Sequence, residues 1–146
     1  MKRVSMKRAG MAAAGIVIVG SLAACSSAQE TAFAALLDTP VASADALPPD
    51  AGAQLELQHD TVRLAGRDSA GRGYFVGTDA EGTPCLAVVA EGGLWGASCG
   101  RLGQFSMEFD GVIAWLGAEH YAEHSATESF QGAVFIATPK PRPIGG

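Results

Sequence analysis

The chain has 146 residues, of which 48% are apolar and 17% are charged, and its formal net charge is −5. This length accommodates one domain with one modest hydrophobic core. The acidic balance disfavours nucleic acid and anionic lipid headgroups as partners, because both repel a negatively charged surface.

The first 24 residues have the pattern of a bacterial export signal. Four basic residues precede a short apolar run over 9–20, well below the roughly 20 residues that a membrane-spanning helix needs. The motif that follows, Leu22-Ala23-Ala24-Cys25, resembles the bacterial lipoprotein signal. This resemblance implies cleavage before Cys25 and covalent lipid on its sulfur as the one attached group, anchoring the protein at the outer, extracytoplasmic face of the cell membrane. The alternative is an ordinary cleaved signal with an unrelated cysteine.

Cleavage at that point divides the chain into a leader over 1–24 and a more acidic mature protein. Four basic residues leave with the leader, so six Lys and Arg remain against 15 Asp and Glu, a net charge of −9. We predict a lipidated cysteine and polar tether over 25–29, a single globular domain over 30–138 and a proline-rich extended tail over 139–146. Either Met1 or Met6 could be the true start, since the two are followed by the same residues.

Along the mature chain, the pattern of apolar residues predicts a mainly β domain with a minor α component. Residues 30–37 have helical spacing, which predicts one short N-terminal helix, and the proline-containing stretch 41–52 predicts an ordered loop. Alternating apolar residues then predict strands over 61–67, 73–78, 85–90, 94–99, 105–109, 112–116 and 133–138. We therefore expect an antiparallel meander of about seven short strands.

The two strands on either side of Glu91-Gly92-Gly93 form the predicted central hairpin. A three-residue loop with Gly93 in the left-handed region pairs Cys85 directly with Cys99, at a distance that a disulfide spans. A two-residue loop at Gly92-Gly93 would place the two cysteines on opposite faces. Two buried thiols are the alternative, but an exported protein favours the bridge.

Four short segments of this domain resemble uncharacterised small secreted or lipid-anchored proteins of high-GC actinobacteria. The segments are Asp45-Ala46-Leu47-Pro48, Tyr74-Phe75-Val76, Gly82-x-x-Cys85-Leu86 and Gly96-Ala97-Ser98-Cys99. The resemblance covers roughly residues 36–116. It implies the disulfide and the meander, and it carries no catalytic residues.

The sharpest candidate for chemistry is His120-Tyr121-Ala122-Glu123-His124, which has the H-x-x-E-H pattern of inverted zinc metalloproteases. On a helix the two histidines would share a face, with Glu123 as the base. The segment has few apolar residues, however, and predicts no buried second shell. We therefore expect a solvated loop or short surface helix, with His120, Glu123 and His124 as weak metal ligands only, and no catalytic residue or cofactor.

The aromatic residues lie mostly at alternating strand positions, which favours a place in the core over a place in a ligand groove. With no catalytic set, the sequence predicts a cell-surface protein that binds a protein or small-ligand partner outside the cell. An extracytoplasmic metal protein or enzyme using His120, Glu123 and His124 is one alternative. A structural or regulatory envelope component is the other.

The lipid anchor is tested by metabolic labelling with a palmitate analogue. We expect the wild-type protein to incorporate the label and to partition into detergent, whereas Cys25→Ala should do neither because it lacks the sulfur that accepts lipid. Equal labelling of the two proteins would disprove the anchor.

Overall fold

The computed structural model describes residues 28–121, 124–139, 141, 144 and 145. It has two α-helices, α1 (Ala28–Leu37) and α2 (Pro49–Gln54), and 3₁₀ turns at Ser43–Asp45 and His59–Thr61. The strands are Arg63–Arg67 (β1), Gly73–Thr78 (β2), Pro84–Val89 (β3), Trp95–Cys99 (β4), Ser106–Phe109 (β5), Val112–Leu116 (β6), His120–Tyr121 (β7), His124–Ser125 (β8), Glu128–Phe130 (β9) and Val134–Ala137 (β10). Within the described residues, no helix has the length and apolar character needed to cross a membrane.

The mainly β class is confirmed, but the strands do not form one meander. They divide into two four-stranded antiparallel sheets, ordered β1-β2-β3-β4 and β5-β6-β10-β9, and a small β7-β8 ribbon. Only the first sheet is a meander, because β10 returns to pair with both β6 and β9 in the second. The strands over 120–130 escaped prediction because they are two or three residues long and lack alternating apolar residues.

The N-terminal part also differs from the prediction. The predicted helix over 30–37 is confirmed as α1, but part of the predicted loop is the short helix α2. Pro49 is its first residue, a position where proline is favoured because its missing N–H is not needed there. The predicted C-terminal tail lies largely outside the described residues, and Pro139 and Pro141 belong to no helix or strand.

The main core lies between the two sheets. Alternate residues of each strand face inward: Ala65, Tyr74, Val76, Leu86 and Val88 from the first sheet, and Val112, Ala114, Leu116, Val134 and Ile136 from the second. Helix α1 packs beside β1 and adds Phe33 and Leu36 to this core. The protein is therefore a sandwich of two sheets with a helix along one edge.

The outer face of each sheet is also covered. On the first sheet, Phe75, Cys85, Ala87 and Val89 form a second cluster, on which leucines of the segment 47–57 pack. On the second sheet, the face formed by Ile113, Trp115, Phe135 and Ala137 packs against Tyr121 and Ala126 near the ribbon. Tyr74, Phe75 and Trp115 are buried, as the alternating pattern predicted.

Close approach of the two sheets requires glycine where an aromatic ring crosses the backbone. A Cβ on Gly66 would lie 2.4 Å from the Phe130 ring, and one on Gly96 would lie 2.8 Å from the Phe109 ring. Phe130 also stacks on Tyr74, with ring centroids 5.0 Å apart. The β1–β2 register shifts between Leu64 and Gly66, and this bulge lies where the ring approaches.

The central hairpin has the predicted register. Cys85 pairs with Cys99 across β3 and β4, and the two are joined by a disulfide. Gly93 has a φ of +85°, as the three-residue loop requires. A bridge that closes a loop of this size contributes about 3 kcal/mol to stability in the chain-entropy model. The predicted two-residue turn at Asp110-Gly111 is also present, with φ values of 47° and 80°.

A partly buried polar network joins the turns at one end of the two sheets. The Asp68 carboxylate, whose side chain is 3% exposed, accepts hydrogen bonds from the Tyr74 hydroxyl at 2.8 Å and from Arg72 Nε at 2.7 Å. Arg72 Nη1 donates to the backbone carbonyl of Asp110 at 2.7 Å. Because Asp110 is in the β5–β6 turn, Arg72 links the first sheet to the second.

This network changes the ionisation of its members. Burial alone would raise the pKa of Asp68, but the hydrogen bonds from Tyr74 and Arg72 outweigh it and hold the pKa below its ordinary value of 3.8. Burial and the neighbouring Asp68 carboxylate raise the pKa of Tyr74, so its hydroxyl remains a donor. Asp68 is therefore charged at neutral pH, with its partners in place.

The hairpin register predicts different effects at two adjacent glycines. Gly93→Val should lower the free energy of unfolding by about 1–2 kcal/mol, because a β-branched residue resists positive φ. Gly92→Ala should change it little, since Gly92 has no positive φ and a Cβ there meets no atom within 4 Å. Urea unfolding curves measure both, and a larger loss for Gly92→Ala would contradict the three-residue loop.

The Asp68 network predicts a pH-dependent contribution to stability. Asp68→Asn should cost about 2–3 kcal/mol at neutral pH, because donors are left facing a neutral amide. Since the folded-state pKa of Asp68 is lowered, the wild-type advantage is fully present above pH 3.8 and disappears as pH falls through the folded-state pKa. Urea unfolding across this range measures the difference.

Asp110→Asn is the matched control for this measurement. The Asp110 side chain is 50% exposed, and its Oδ2 atom lies 3.5 Å from Arg72 Nη1, so its loss should cost under about 1 kcal/mol. A gap between wild type and Asp68→Asn that stays constant down to strong acid would contradict the ionic role of Asp68.

Candidate functional site

The sequence predicts two roles for the three cysteines, which are lipidation and a disulfide. Cys25, the predicted lipidation site, lies outside the described residues. Cys85 and Cys99 form the predicted disulfide, in which Cys85 is buried and Cys99 is exposed on the edge strand β4. This bridge fastens the edge of the first sheet to its centre, which is a structural role.

The H-x-x-E-H segment does not have the backbone of a metalloprotease helix. His120 and His124 lie on the paired strands β7 and β8, where His120 pairs with Ser125 and Tyr121 pairs with His124. The expectation of a loop or surface helix is therefore wrong, because contacts of Tyr121 with Trp115 hold this segment against the second sheet. Glu123 lies outside the described residues.

The i,i+4 helical spacing that makes this motif a zinc site does not apply to paired strands. In the part of the chain that the structure describes, no three His, Cys, Asp or Glu residues are grouped to hold a metal ion. His120, Glu123 and His124 thus remain weak metal candidates from the sequence alone.

A cleft of about 490 Å³ lies beside the first sheet. It lies between the segment 41–53 and the 3₁₀ turn that precedes β1. Its apolar lining includes Val41, Ala46, Leu47, Pro49, Ala53 and Val62. The ionisable residues of the lining are Asp45 and His59.

The apolar lining of this cleft is unusually open to solvent. Val41 is 59% exposed, and Ala46, Pro49 and Ala53 are exposed as well. Val62 forms the buried floor and belongs to the cluster on the outer face of the first sheet. Aliphatic side chains gathered in one exposed concavity, with few polar groups, are typical of small-ligand sites.

Asp45 fixes the wall of the cleft to the first sheet. This residue is only 9% exposed, and its Oδ1 accepts a hydrogen bond from the Leu64 N–H at 2.7 Å. Its Oδ2 accepts one from the Ala42 N–H, also at 2.7 Å. One carboxylate therefore holds the loop in its bend and connects it to β1.

Arg63 fixes the same wall from the other side. Its side chain is buried, and its Nε donates a hydrogen bond to the Thr39 carbonyl at 2.7 Å. Its Nη1 donates to the carbonyls of Asp60 and Val62, at 2.7 and 2.9 Å. The guanidinium group thus joins the chain after α1 to the 3₁₀ turn and to β1.

The imidazole of His59 is part of the lining of the cleft. A Cβ on Gly52 would lie 3.5 Å from its Cε1 atom, so the ring lies close against the backbone of α2. His59 is exposed. It presents ring nitrogens, which can donate or accept a hydrogen bond, beside an otherwise aliphatic surface.

A second cavity of about 310 Å³ lies beside β9 and β10. Its lining includes Glu119, Thr127, Glu128 and Phe135. Thr127 already donates its hydroxyl to the Ile136 carbonyl at 3.2 Å and its N–H to the same carbonyl at 2.8 Å. This cavity has less apolar surface than the first, so it is the weaker candidate for a ligand site.

Sequence reasoning missed the cleft because its lining comes from a segment without a regular pattern. The available signals were two charged residues in apolar surroundings, Asp45 in a loop of small residues and Arg63 at the start of a strand. Each of them becomes buried and binds the backbone. No protein-family model, curated protein or solved structure matches the chain.

Proposed function

We propose that this protein is a lipid-anchored protein of the bacterial cell envelope, held at the outer face of the cell membrane, that captures small apolar ligands in the cleft at Asp45 and His59. The proposed role is binding rather than catalysis. The observation that carries it is the open, largely aliphatic cleft, whose walls are fixed by buried contacts.

The proposed location depends on two features that agree. Leu22-Ala23-Ala24-Cys25 resembles the bacterial lipoprotein signal. The Cys85–Cys99 disulfide supports export, because such bridges persist outside the reducing cytosol. An anchor at the N-terminus would place the start of α1 near the membrane, with the sandwich outside the cell.

The proposed binding role depends on how the cleft is built. A flexible loop would have to become ordered when it binds a ligand, and this ordering costs conformational entropy. Here Asp45 and Arg63 already hold the wall of the cleft in place, so binding does not carry this cost. The floor of the cleft, Val62, is packed in the apolar cluster on the outer face of the first sheet, so it cannot move into the cleft and fill it. The cleft is thus preformed, which favours capture of a ligand without folding of the segment.

The test is binding of the neutral apolar dye N-phenyl-1-naphthylamine, followed by its fluorescence. All proteins carry Cys25→Ser, so that no lipid anchor requires detergent. Ala53→Trp should weaken binding at least about tenfold, because the indole fills the cleft at an exposed position and costs about 1.4 kcal/mol or more of lost contact. Ala70→Trp is the matched control and should bind like the parent, because Ala70 is exposed in the turn between β1 and β2, at the opposite end of β1 from the lining residue Val62.

Unfolding curves for both tryptophan variants establish that each is folded. Absence of dye binding to the parent protein would reject the proposed function. Equal dye affinity for the parent and for folded Ala53→Trp would reject the cleft as the site.

A further inference from the structure

We infer that the ligand of this cleft is a primary aliphatic amine in its ammonium form, with an apolar body. This inference depends on the proposed function, since it names the class of ligand that the same cleft would capture. It is based on the charge, the chemical composition and the size of the lining.

The lining of the cleft contains one carboxylate and no Lys or Arg. Asp45 is a buried carboxylate in the lining, and no basic side chain lies within ion-pair distance of it among the described residues. Its two oxygens each accept one backbone N–H, and a carboxylate has acceptor sites beyond these two. Asp50 and Asp60 are exposed and directly follow the lining residues Pro49 and His59.

Arg63 does not reverse this charge inside the cleft. Its guanidinium group is directed at three backbone carbonyls, and it is not one of the lining residues. A cationic ligand would therefore meet Asp45 at the wall, with Arg63 behind it. A carboxylate ligand would meet the Asp45 carboxylate in the lining and no Lys or Arg.

The composition of the lining selects the kind of cation. Quaternary ammonium groups are commonly bound by aromatic cages, through cation–π contacts. Here the apolar lining is aliphatic, and His59 is the one aromatic residue among those that line the cleft. A primary ammonium group, which donates three hydrogen bonds to carboxylate oxygens or to an imidazole nitrogen, fits this surface better.

The size of the cleft limits the apolar body. A volume of about 490 Å³ corresponds to about 16 atoms at the roughly 30 Å³ that one water occupies. An amine with a chain of about ten carbons fits within this limit, and each buried methylene adds about 0.8 kcal/mol. Affinity should therefore rise with chain length up to that size.

The experiment compares three ligands of equal chain length but different head group, namely decylammonium, decanol and decanoate. Calorimetric titrations use the Cys25→Ser protein at concentrations below ligand aggregation. We expect decylammonium to bind about three- to tenfold more tightly than decanol at low salt, and decanoate to bind most weakly. The preference for decylammonium should shrink as salt is raised, because ionic screening weakens the attraction.

Charge-altering variants at His59 test the same inference without disturbing Asp45, whose contacts hold the fold. His59 is exposed and no hydrogen bond holds its ring among the described residues, so His59→Lys and His59→Glu should both fold. His59→Lys should weaken decylammonium binding about threefold and His59→Glu should strengthen it by a similar factor, as expected for partly exposed charges. Decanol is the control, and neither variant should change its affinity.

Each outcome separates this inference from the proposed function. Equal affinity for decylammonium and decanol, or tightest binding of decanoate, would overturn the amine inference and leave the apolar capture site standing. Binding of none of the three ligands would overturn both. An unchanged decylammonium affinity in both His59 variants would show that the head group does not lie in this cleft.

Discussion

The structure depends on one constraint, which is that the central strands of both sheets are buried on both faces. A sheet with one polar face can leave that face in water, but here β3 and β6 are buried on both sides. Packing the two sheets together covers only the inner faces. The outer faces then need covers of their own, and the N-terminal segment and the β7–β8 ribbon supply them.

This constraint was visible in the sequences of single strands such as β3 and β6, but not in how the strands divide between two sheets. The strands flanking Gly93 have apolar or small residues on both faces, and their register followed from turn geometry. Burial on both faces was predicted for the whole hairpin, but it holds only for β3, because β4 is an edge strand whose residues are half-buried or exposed. Strand β6 and the Asp110-Gly111 turn were predictable for the same local reasons. The partition into two sheets was not, because β10 reaches β6 across a polar stretch and nothing local specifies that pairing.

The candidate site, in contrast, could not be predicted from the local sequence. Its lining has no periodic pattern, and the residues that build it act over long separations. Asp45 binds the Leu64 N–H, and Arg63 binds the Thr39 carbonyl. A loop of small residues and prolines gives no sign of such contacts until the fold brings the partners together. The H-x-x-E-H motif is the converse case, in which a sequence pattern is present but the structure does not use it. The pattern indicates a metal site only on a helix, and here its histidines lie on paired strands.

Asp45 and Arg63 share one further property: each of their hydrogen bonds in this region goes to the main chain. Every amino acid except proline offers the N–H that Asp45 uses, and all offer the carbonyls that Arg63 uses. The exposed side chains at Val41, Ala46 and Ala53 are thus not part of what keeps the wall in place. Ligand preference can diverge by exchange of these residues while the framework persists, so the cleft is a natural position for variation among descendants and for redesign in the laboratory.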